Sequence, residues 1–346
     1  MRSQVGIAVL GAGFIAEYHL AGLAHCPQAD VRVLVSRSVD RAASVAARFG
    51  VPEVSDDWQH TLTRTDIDAV IICTPDDTHE SFAVSAAQSG KAILLQKPMA
   101  GSVQACCRIA EQASRSRVDL QVSFMHRWFP EFQQAQAWLQ EGLIGRIHSV
   151  HLRNATPGPD WGDWFFSATN VSGGVVDQLG VHGIDLLLQL FGDIQAVSAR
   201  LCTQVPSRTL RDGRTVAVEN PDTAFAVYDL ASGAVAAHEM SQVEVQGCDR
   251  FRLELYGDRG TLLLRTHRGL IAAWAPHRFG ERWMVPELSS VPFGAQQHQA
   301  WLDGVTGRTP RLPSAKDAIR GMQVVEAIRM SAQKNGASVQ VEKRVH

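Results

Sequence analysis

The chain has no apolar run long enough to span a bilayer, which argues against an integral membrane protein. Its start, Met1-Arg2-Ser3-Gln4, leads directly into an apolar run. It lacks the charged start, apolar stretch and small-residue cleavage site of a secretory leader. None of the six cysteines (Cys26, Cys73, Cys106, Cys107, Cys202, Cys248) forms a CxxC pair or a metal-ligand spacing. Several sit within apolar runs, so they are expected to be reduced thiols of a cytoplasmic protein, with no metal site. Charge of neither sign dominates: 33 Lys and Arg stand against 35 Asp and Glu, a net of −2. That balance leaves no basic footprint for nucleic acid or an anionic membrane surface. Repeats, low-complexity segments and long polar linkers are also missing. What remains is a globular chain of 346 residues, long enough for two domains and a sizeable core.

The first third alternates short apolar runs with helical spacings. Strands are expected at Val5–Leu10, Val31–Val35, Ala69–Cys73, Ala92–Leu95 and Leu120–Phe124. Helices are expected at Ile15–His25, Val39–Phe49, Thr78–Ser89 and Val103–Ser114, two of them stopped by Gly50 and Gly90. Strict alternation predicts an α/β domain with a doubly wound parallel sheet and right-handed crossovers. After about Met125 the pattern changes. One helix, Glu131–Glu141, precedes strands at 147–154, 196–203, 223–230, 234–243, 250–257 and 260–265, separated by turn residues. Hairpin spacings at Asp229–Gly233 and Tyr256–Gly260 predict a mostly antiparallel sheet, so this second domain reads as α+β. The expected division is 1–124 and 125–346, with a terminal helix, 317–334, packing back toward the first domain.

Gly11-Ala12-Gly13-Phe14-Ile15-Ala16 follows the first strand and opens the first helix. In that context GxGxxA is a dinucleotide cradle. The first glycine permits the turn, the second admits a pyrophosphate, and the small third residue lets helix and strand pack closely. No acidic residue ends the second strand, where one would bind the ribose 2′-hydroxyl of NAD. Ser36 and Arg37 stand there instead, and an arginine pairs with a 2′-phosphate, so NADP(H) is the expected preference with NAD(H) also accommodated. Thr74-Pro75 ends the third strand, in a loop expected to border the nicotinamide, and Asp77 or Thr78 reads as the N-cap of the next helix. Lys97-Pro98 closes the fourth strand, placing a cation at the same carboxyl edge.

Taken in order, these residues resemble the Gfo/Idh/MocA family (glucose-fructose oxidoreductase, inositol dehydrogenase, rhizopine catabolism). The match includes the glycine loop, Thr74-Pro75 with His79, Gly90-Lys91, Gln96-Lys97-Pro98 and Arg127-Trp128-Phe129-Pro130. Gly173-Gly174, Gly180-Val181-His182, Asp185 and Ala327-Ile328-Arg329-Met330-Ser331 continue it to the end of the chain. The resemblance implies a Rossmann domain followed by an open, mostly antiparallel sheet that mediates oligomerisation, as a homodimer or homotetramer. It also implies oxidation or reduction of sugars, cyclitols and related polyols. Lys97 and His182 then carry the chemistry: His182 as principal acid/base, Lys97 polarising the reacting oxygen. Asp185 and Asp177 join them as catalytic candidates. Phe14, Ile15, His79, Gln96 and Arg127 join Gly11, Gly13, Ser36, Arg37, Thr74, Pro75 and Lys97 as cofactor contacts. Two positions depart from the family pattern. Gln96 replaces the usual glutamate, and Gln178 occupies the aspartate position four residues before the histidine, with Asp177 five before. In an extended segment that single step would turn Asp177 to the opposite face; a bulge or bend would restore it.

Substrate recognition is expected from Trp128, Asn154, Trp161, Trp164, Gln178 and His151, together with Lys97 and His182, since tryptophan faces stack on sugar rings and amides bind hydroxyls. His238 and His298 read as core or surface histidines. Two other functions compatible with the fold are a glycosidase that retains its nicotinamide and a non-enzymatic sensor of nicotinamide or sugar. A sensor has no need of the Lys97 and His182 pair.

Overall fold

Val5–Leu10 (β1) is apolar apart from one glycine and buried at every position, as a central strand covered on both faces requires. The chain then runs α1 (Phe14–Leu23), β2 (Ala29–Val35), α2 (Val39–Phe49), β3 (Glu53–Ser55), α3 (Trp58–Thr63) and β4 (Ala69–Ile72). It continues through α4 (His79–Gln88), β5 (Ala92–Gln96), α5 (Val103–Ser116) and β6 (Leu120–Ser123). The six strands form one parallel sheet in the order β3-β2-β1-β4-β5-β6, the doubly wound arrangement expected from the sequence. Local chemistry sets the helix ends. Ser102 accepts the Ala105 N–H at 3.2 Å to start α5, and Gly50 takes a left-handed conformation (φ +71°) to end α2. The short β3 and α3 were not anticipated, because three and six residues carry too little periodicity to register.

The computed structural model describes residues 4–168, 174–245, 250–266, 269–309 and 314–342; Gly173 and Cys248 fall outside them. The chain divides into two units, Met1–Met125 with Ser290–Ile319, and His126–Ser289 with Arg320–His346. The second unit begins with α6 (Pro130–Gln140), β7 (Ile147–Ala155) and α7 (Val181–Phe191). There follow β8 (Ile194–Cys202), β9 (Ser207–Thr209), β10 (Thr215–Ala217), β11 (Thr223–Leu230), β12 (Val235–Ser241), β13 (Phe251–Gly257), β14 (Thr261–Arg265) and β15 (Leu270–Trp274). A short helix α8 (Pro276–Phe279) leads to β16 (Trp283–Met284). After α9 (Ala295–Val305) and α10 (Ser314–Gln333), β17 (Val339–Gln340) completes a nine-stranded sheet ordered β16-β15-β14-β13-β7-β12-β11-β8-β17. It is antiparallel except where β7 runs parallel to β12. Along β11 the side chains alternate. Ala224, Ala226 and Tyr228 face the packed side, while Phe225 and Val227 stand on the open one.

The domain plan differs from the sequence expectation at its end. Residues Ser290–Ile319 belong to the first unit, because α9 lays Trp301 and Leu302 into the same core as Ala16, Leu20, Leu23 and Cys26. From Arg320 onward the terminal helix α10 belongs to the second unit. There Ser331 Oγ accepts the Ala199 N–H at 2.8 Å and donates to the Ala337 carbonyl at 2.7 Å. The helix that returns to the Rossmann unit is thus α9. Cys26, Cys73, Cys106 and Cys107 are buried and lie outside any disulfide. Among the described residues no helix is long and apolar enough to cross a membrane, and no cluster of His, Cys, Asp and Glu is set to hold a metal.

Candidate functional site

The glycine loop is built for close approach. Gly11 has φ +109°, and a Cβ there would lie 2.7 Å from the Cys73 carbonyl oxygen, so no other residue fits. Its N–H donates to the Val35 carbonyl at 2.8 Å, fixing the loop against β2. Gly13 caps α1 with no side chain, and a Cβ there would meet nothing within 4 Å. This is open room in front of the helix amides, suited to a phosphate. Ala16 is buried, as close helix–strand packing demands, whereas Phe14 is 68% exposed and Ile15 half-buried. At the end of β2, Ser36 Oγ accepts the Ser38 N–H at 3.2 Å and Arg37 is exposed. These residues fit a nicotinamide dinucleotide.

The carboxyl ends of β4 and β5 are tied together by His79. Its Nδ1 lies 2.9 Å from the Pro98 carbonyl and its Nε2 3.0 Å from the Thr74 carbonyl. Burial lowers its pKa; the Asp76 charge and the two carbonyls oppose that fall. His79 is 1% exposed, so it shapes the two loops from beneath rather than facing a ligand as the sequence suggested. Thr74 Oγ1 and Thr78 Oγ1 are bonded at 2.7 Å, and Thr78 Oγ1 also donates to the Pro75 carbonyl. Neither Asp77 nor Thr78 therefore acts as the expected side-chain cap of α4, where no such bond forms. Gln96 is buried; its Oε1 accepts the Lys97 N–H at 2.8 Å, and the Lys97–Pro98 peptide is cis. Lys97 is half-buried.

In the second unit α7 presents His182, which is 7% exposed. Its ring stacks on that of His126, centroids 4.3 Å apart and planes within 10°. One turn along, Asp185 holds the Arg127 guanidinium with both carboxylate oxygens, Arg127 Nε reaching Oδ2 at 2.8 Å. The ring stack and the ion pair thus bolt residues 126–127 to α7. Arg127 was expected at the cofactor and Asp185 in catalysis; in the structure the two are paired with each other. The segment before α7 is helical rather than extended. Val176–Gly180 forms a single turn of π-helix, in which one extra residue fits into the turn. The five-residue spacing of Asp177 from His182 runs through this turn. Asp177 is fully buried and paired with Arg329 of α10, while Gln178 is half-buried.

The substrate candidates scatter. Asn154 is buried, and its Oδ1 lies 2.8 Å from His238 Nε2, whose Nδ1 meets the Tyr228 hydroxyl at 3.0 Å. His151 points to the opposite, exposed side of β7, edge-on to Tyr256, as the two-residue period of a strand requires. Trp128 is half-buried. Trp164 stacks on Phe165 at 3.7 Å, and Trp161 is 49% exposed with the Arg211 guanidinium 5.9 Å above its ring. Sequence reasoning missed His126 and gave Arg329 no role, although both stand beside or within quoted motifs. It also passed over His19 and left His298 as a generic histidine. Both are fully buried and bonded to each other, Nδ1 to Nε2, at 2.8 Å.

A glycine-rich cradle on a doubly wound sheet, joined to a separate mixed-sheet unit, defines a two-domain nucleotide-dependent oxidoreductase. Residues 5–124 match the oxidoreductase family with an NAD-binding Rossmann fold, and residues 132–263 match the GFO/IDH/MocA C-terminal domain. The chain belongs to this family. It is 30% identical over 270 residues to scyllo-inositol 2-dehydrogenase (NAD(+)) of Bacillus subtilis, covering 78% of this chain and 76% of that protein. It is 27% identical over 290 residues to levoglucosan dehydrogenase of Pseudarthrobacter phenanthrenivorans, covering 77% and 74%. The fold is similar to the solved structure of levoglucosan dehydrogenase in complex with NADH: TM-score 0.89, 22% identity, covering 99% of this chain and 100% of that one.

Proposed function

We propose that this protein is an NADP(H)-dependent dehydrogenase that moves hydride between nicotinamide and a hydroxyl or carbonyl carbon of a sugar, cyclitol or related polyol. The observation that carries this reading is the 30% identity to a scyllo-inositol 2-dehydrogenase across both units. The nicotinamide supplies or takes the hydride. The chain must then handle a proton and stabilise charge on the substrate oxygen. Lys97 hydrogen-bonds and polarises that oxygen, and His182 is the principal acid/base. Asp185 acts by fixing Arg127, and Asp177 by anchoring the π turn to α10 through Arg329. Trp128, Trp161, Trp164 and Gln178 remain the candidates for ring and hydroxyl contacts, because each keeps some exposure. The exposed Phe225, Val227 and Val235 on the open sheet face favour a homodimer or homotetramer, and we place the protein in the cytoplasm.

The preference for NADP(H) rests on exposed Arg37 and half-buried Ser36 where an acidic residue would serve NAD. The scyllo-inositol 2-dehydrogenase carries NAD(+) in its name and the similar levoglucosan dehydrogenase structure is a complex with NADH, which favours NAD(H) as the second reading. A panel of aldoses, cyclitols and polyols with each cofactor, followed by nicotinamide absorbance with Lys97→Ala as blank, tests both points. The reading expects lysine-dependent turnover on one class, and Arg37→Ala raising the KM for NADP well above any change for NAD. Silence across the panel with cofactor bound refutes the substrate class. Equal effects of Arg37→Ala on both cofactors refute the NADP preference.

A further inference from the structure

Beneath Lys97 lies a buried line of four hydrogen bonds whose polarity is fixed at both ends. The Lys97 main-chain N–H can only donate, and it does so to Gln96 Oε1 at 2.8 Å. That bond orients the side-chain amide, so Gln96 Nε2 is the donor to His19 Nε2 at 3.2 Å. At the far end the Gly294 carbonyl can only accept, and His298 Nδ1 lies 2.7 Å from it. His298 Nδ1 therefore carries the proton, and His298 Nε2 is the acceptor for His19 Nδ1–H at 2.8 Å. Each bond along the line has one donor and one acceptor, and each ring needs one proton and no more. The two rings are consistent with that count: burial, reinforced by His298, holds His19 well below the usual range, and burial brings His298 down to about 4.

We propose that the Gln96–His19–His298 chain is the positioning device for Lys97, and that an amide at position 96 keeps it uncharged throughout the working pH range. The proposal rests on the assignment of Lys97 to the chemistry. A glutamate, which the family pattern usually has here, would turn a second acceptor toward His19 Nε2, and the chain would then require one more proton. The chain also explains why a distant segment belongs to this unit. His298 sits on α9, whose neighbour Gln297 accepts from the Tyr18 hydroxyl at 2.6 Å and donates to Ser123 Oγ at 2.8 Å. Two polar lines therefore tie α9 to α1 and to the ends of β5 and β6. The titratable or charged groups facing the chain are the two rings themselves, Tyr18 of α1, whose ring lies 5.2 Å from His19 and 5.6 Å from His298, and Lys97 next to Gln96.

The test begins on the intact protein with its cofactor. Nitrogen-15 spectra of labelled histidines should show His19 and His298 neutral, both protonated on Nδ1, and unchanged from about pH 5.5 to 8. An Nε2-protonated form of either ring, or titration of either within that range, overturns the proposal. Gln96→Glu keeps the shape and changes the proton count. Its melting temperature should fall by roughly 4–8 °C relative to wild type as pH rises from about 5.5 to 8. Its kcat should drop about tenfold across the same interval. His19→Asn combined with Gln96→Glu removes the acceptor facing the carboxylate and should abolish both pH dependences. If Gln96→Glu follows the wild-type pH profiles in melting and in turnover, the chain does not position Lys97. A wild-type protein silent on every sugar and cyclitol counts against the dehydrogenase reading alone, since the ring spectra and melting profiles still decide the state of the chain.

Discussion

Gly183, beside His182 on α7, separates packing from helix propensity. A Cβ at this position would lie 2.6 Å from Asn154 Oδ1, 2.7 Å from Leu152 Cδ2 and 2.8 Å from His238 Cε1. The helix therefore rests directly on β7 and β12, against the Asn154–His238 bond. Gly321, on α10 of the same unit, has nothing within 4 Å of its Cβ position. Propensity alone favours alanine at both by about 1 kcal/mol. At Gly321 that gain stands, and Gly321→Ala should stabilise by about 0.5–1 kcal/mol. At Gly183 overpacking costs about 1–3 kcal/mol, and forcing Asn154 away from His238 leaves buried polar atoms unpaired at about 1–3 kcal/mol more. The net for Gly183→Ala is a loss of about 1–5 kcal/mol, or roughly 2–20 °C in the unfolding midpoint of a unit this size. Thermal and urea unfolding of both variants, with circular dichroism as the probe, measure the contrast. Turnover of Gly183→Ala should also fall with cofactor affinity intact, because the displaced helix carries His182 and the glycine loop lies in the other unit. A Gly183→Ala protein as stable as wild type would show that α7 is not seated on Asn154 and His238, and the reasoning would fail.

Three further outcomes are expected. Arg329→Ala should cost about 3 kcal/mol, because it leaves the fully buried Asp177 carboxylate without its cation; urea unfolding giving a loss under about 1 kcal/mol would deny the pair that role. Acid should weaken both units. Burial holds His298 at about 4 in one and His238 at about 3 in the other, while the unfolded chain protonates both near 6.5. The unfolded state thus binds more protons below that value. Stability should decline by up to about 1.4 kcal/mol per ring per pH unit from about pH 6.5 downward and level off near the folded values. A flat stability profile from pH 7 to 4 would contradict this. His182→Ala should remove the pH-dependent limb of kcat/KM, and an unchanged pH–rate profile would refute its acid/base role.

The sheet of the first unit was legible because buried parallel strands are continuous apolar runs punctuated by glycine and proline, and Val5–Leu10 or Ala92–Gln96 offers little else to read. The hairpin at Asp229–Gly233 was legible for a different reason, since a turn announces itself within five residues. The return of α9 to the first unit was not legible. Gln297, His298, Trp301 and Leu302 make a modest helix by themselves, and their destination is decided by Tyr18, His19 and the core beside α1, far away in sequence. The same holds at the candidate site. Lys97 and His182 could be proposed from motif position, but the contacts around them could not. The stack of His126 on His182, the Arg127–Asp185 pair and the Gln96–His19–His298 line join residues distant in the chain through one or two bonds each, and such bonds impose no period on the sequence. Where the sequence broke the family pattern, the structure shows a matching local device. The five-residue spacing of Asp177 coincides with a π turn, and the amide of Gln96 coincides with two buried histidines bonded to each other. A departure from pattern was therefore a useful pointer to the residues around the site, because a buried polar group is tied energetically to the donors and acceptors it faces.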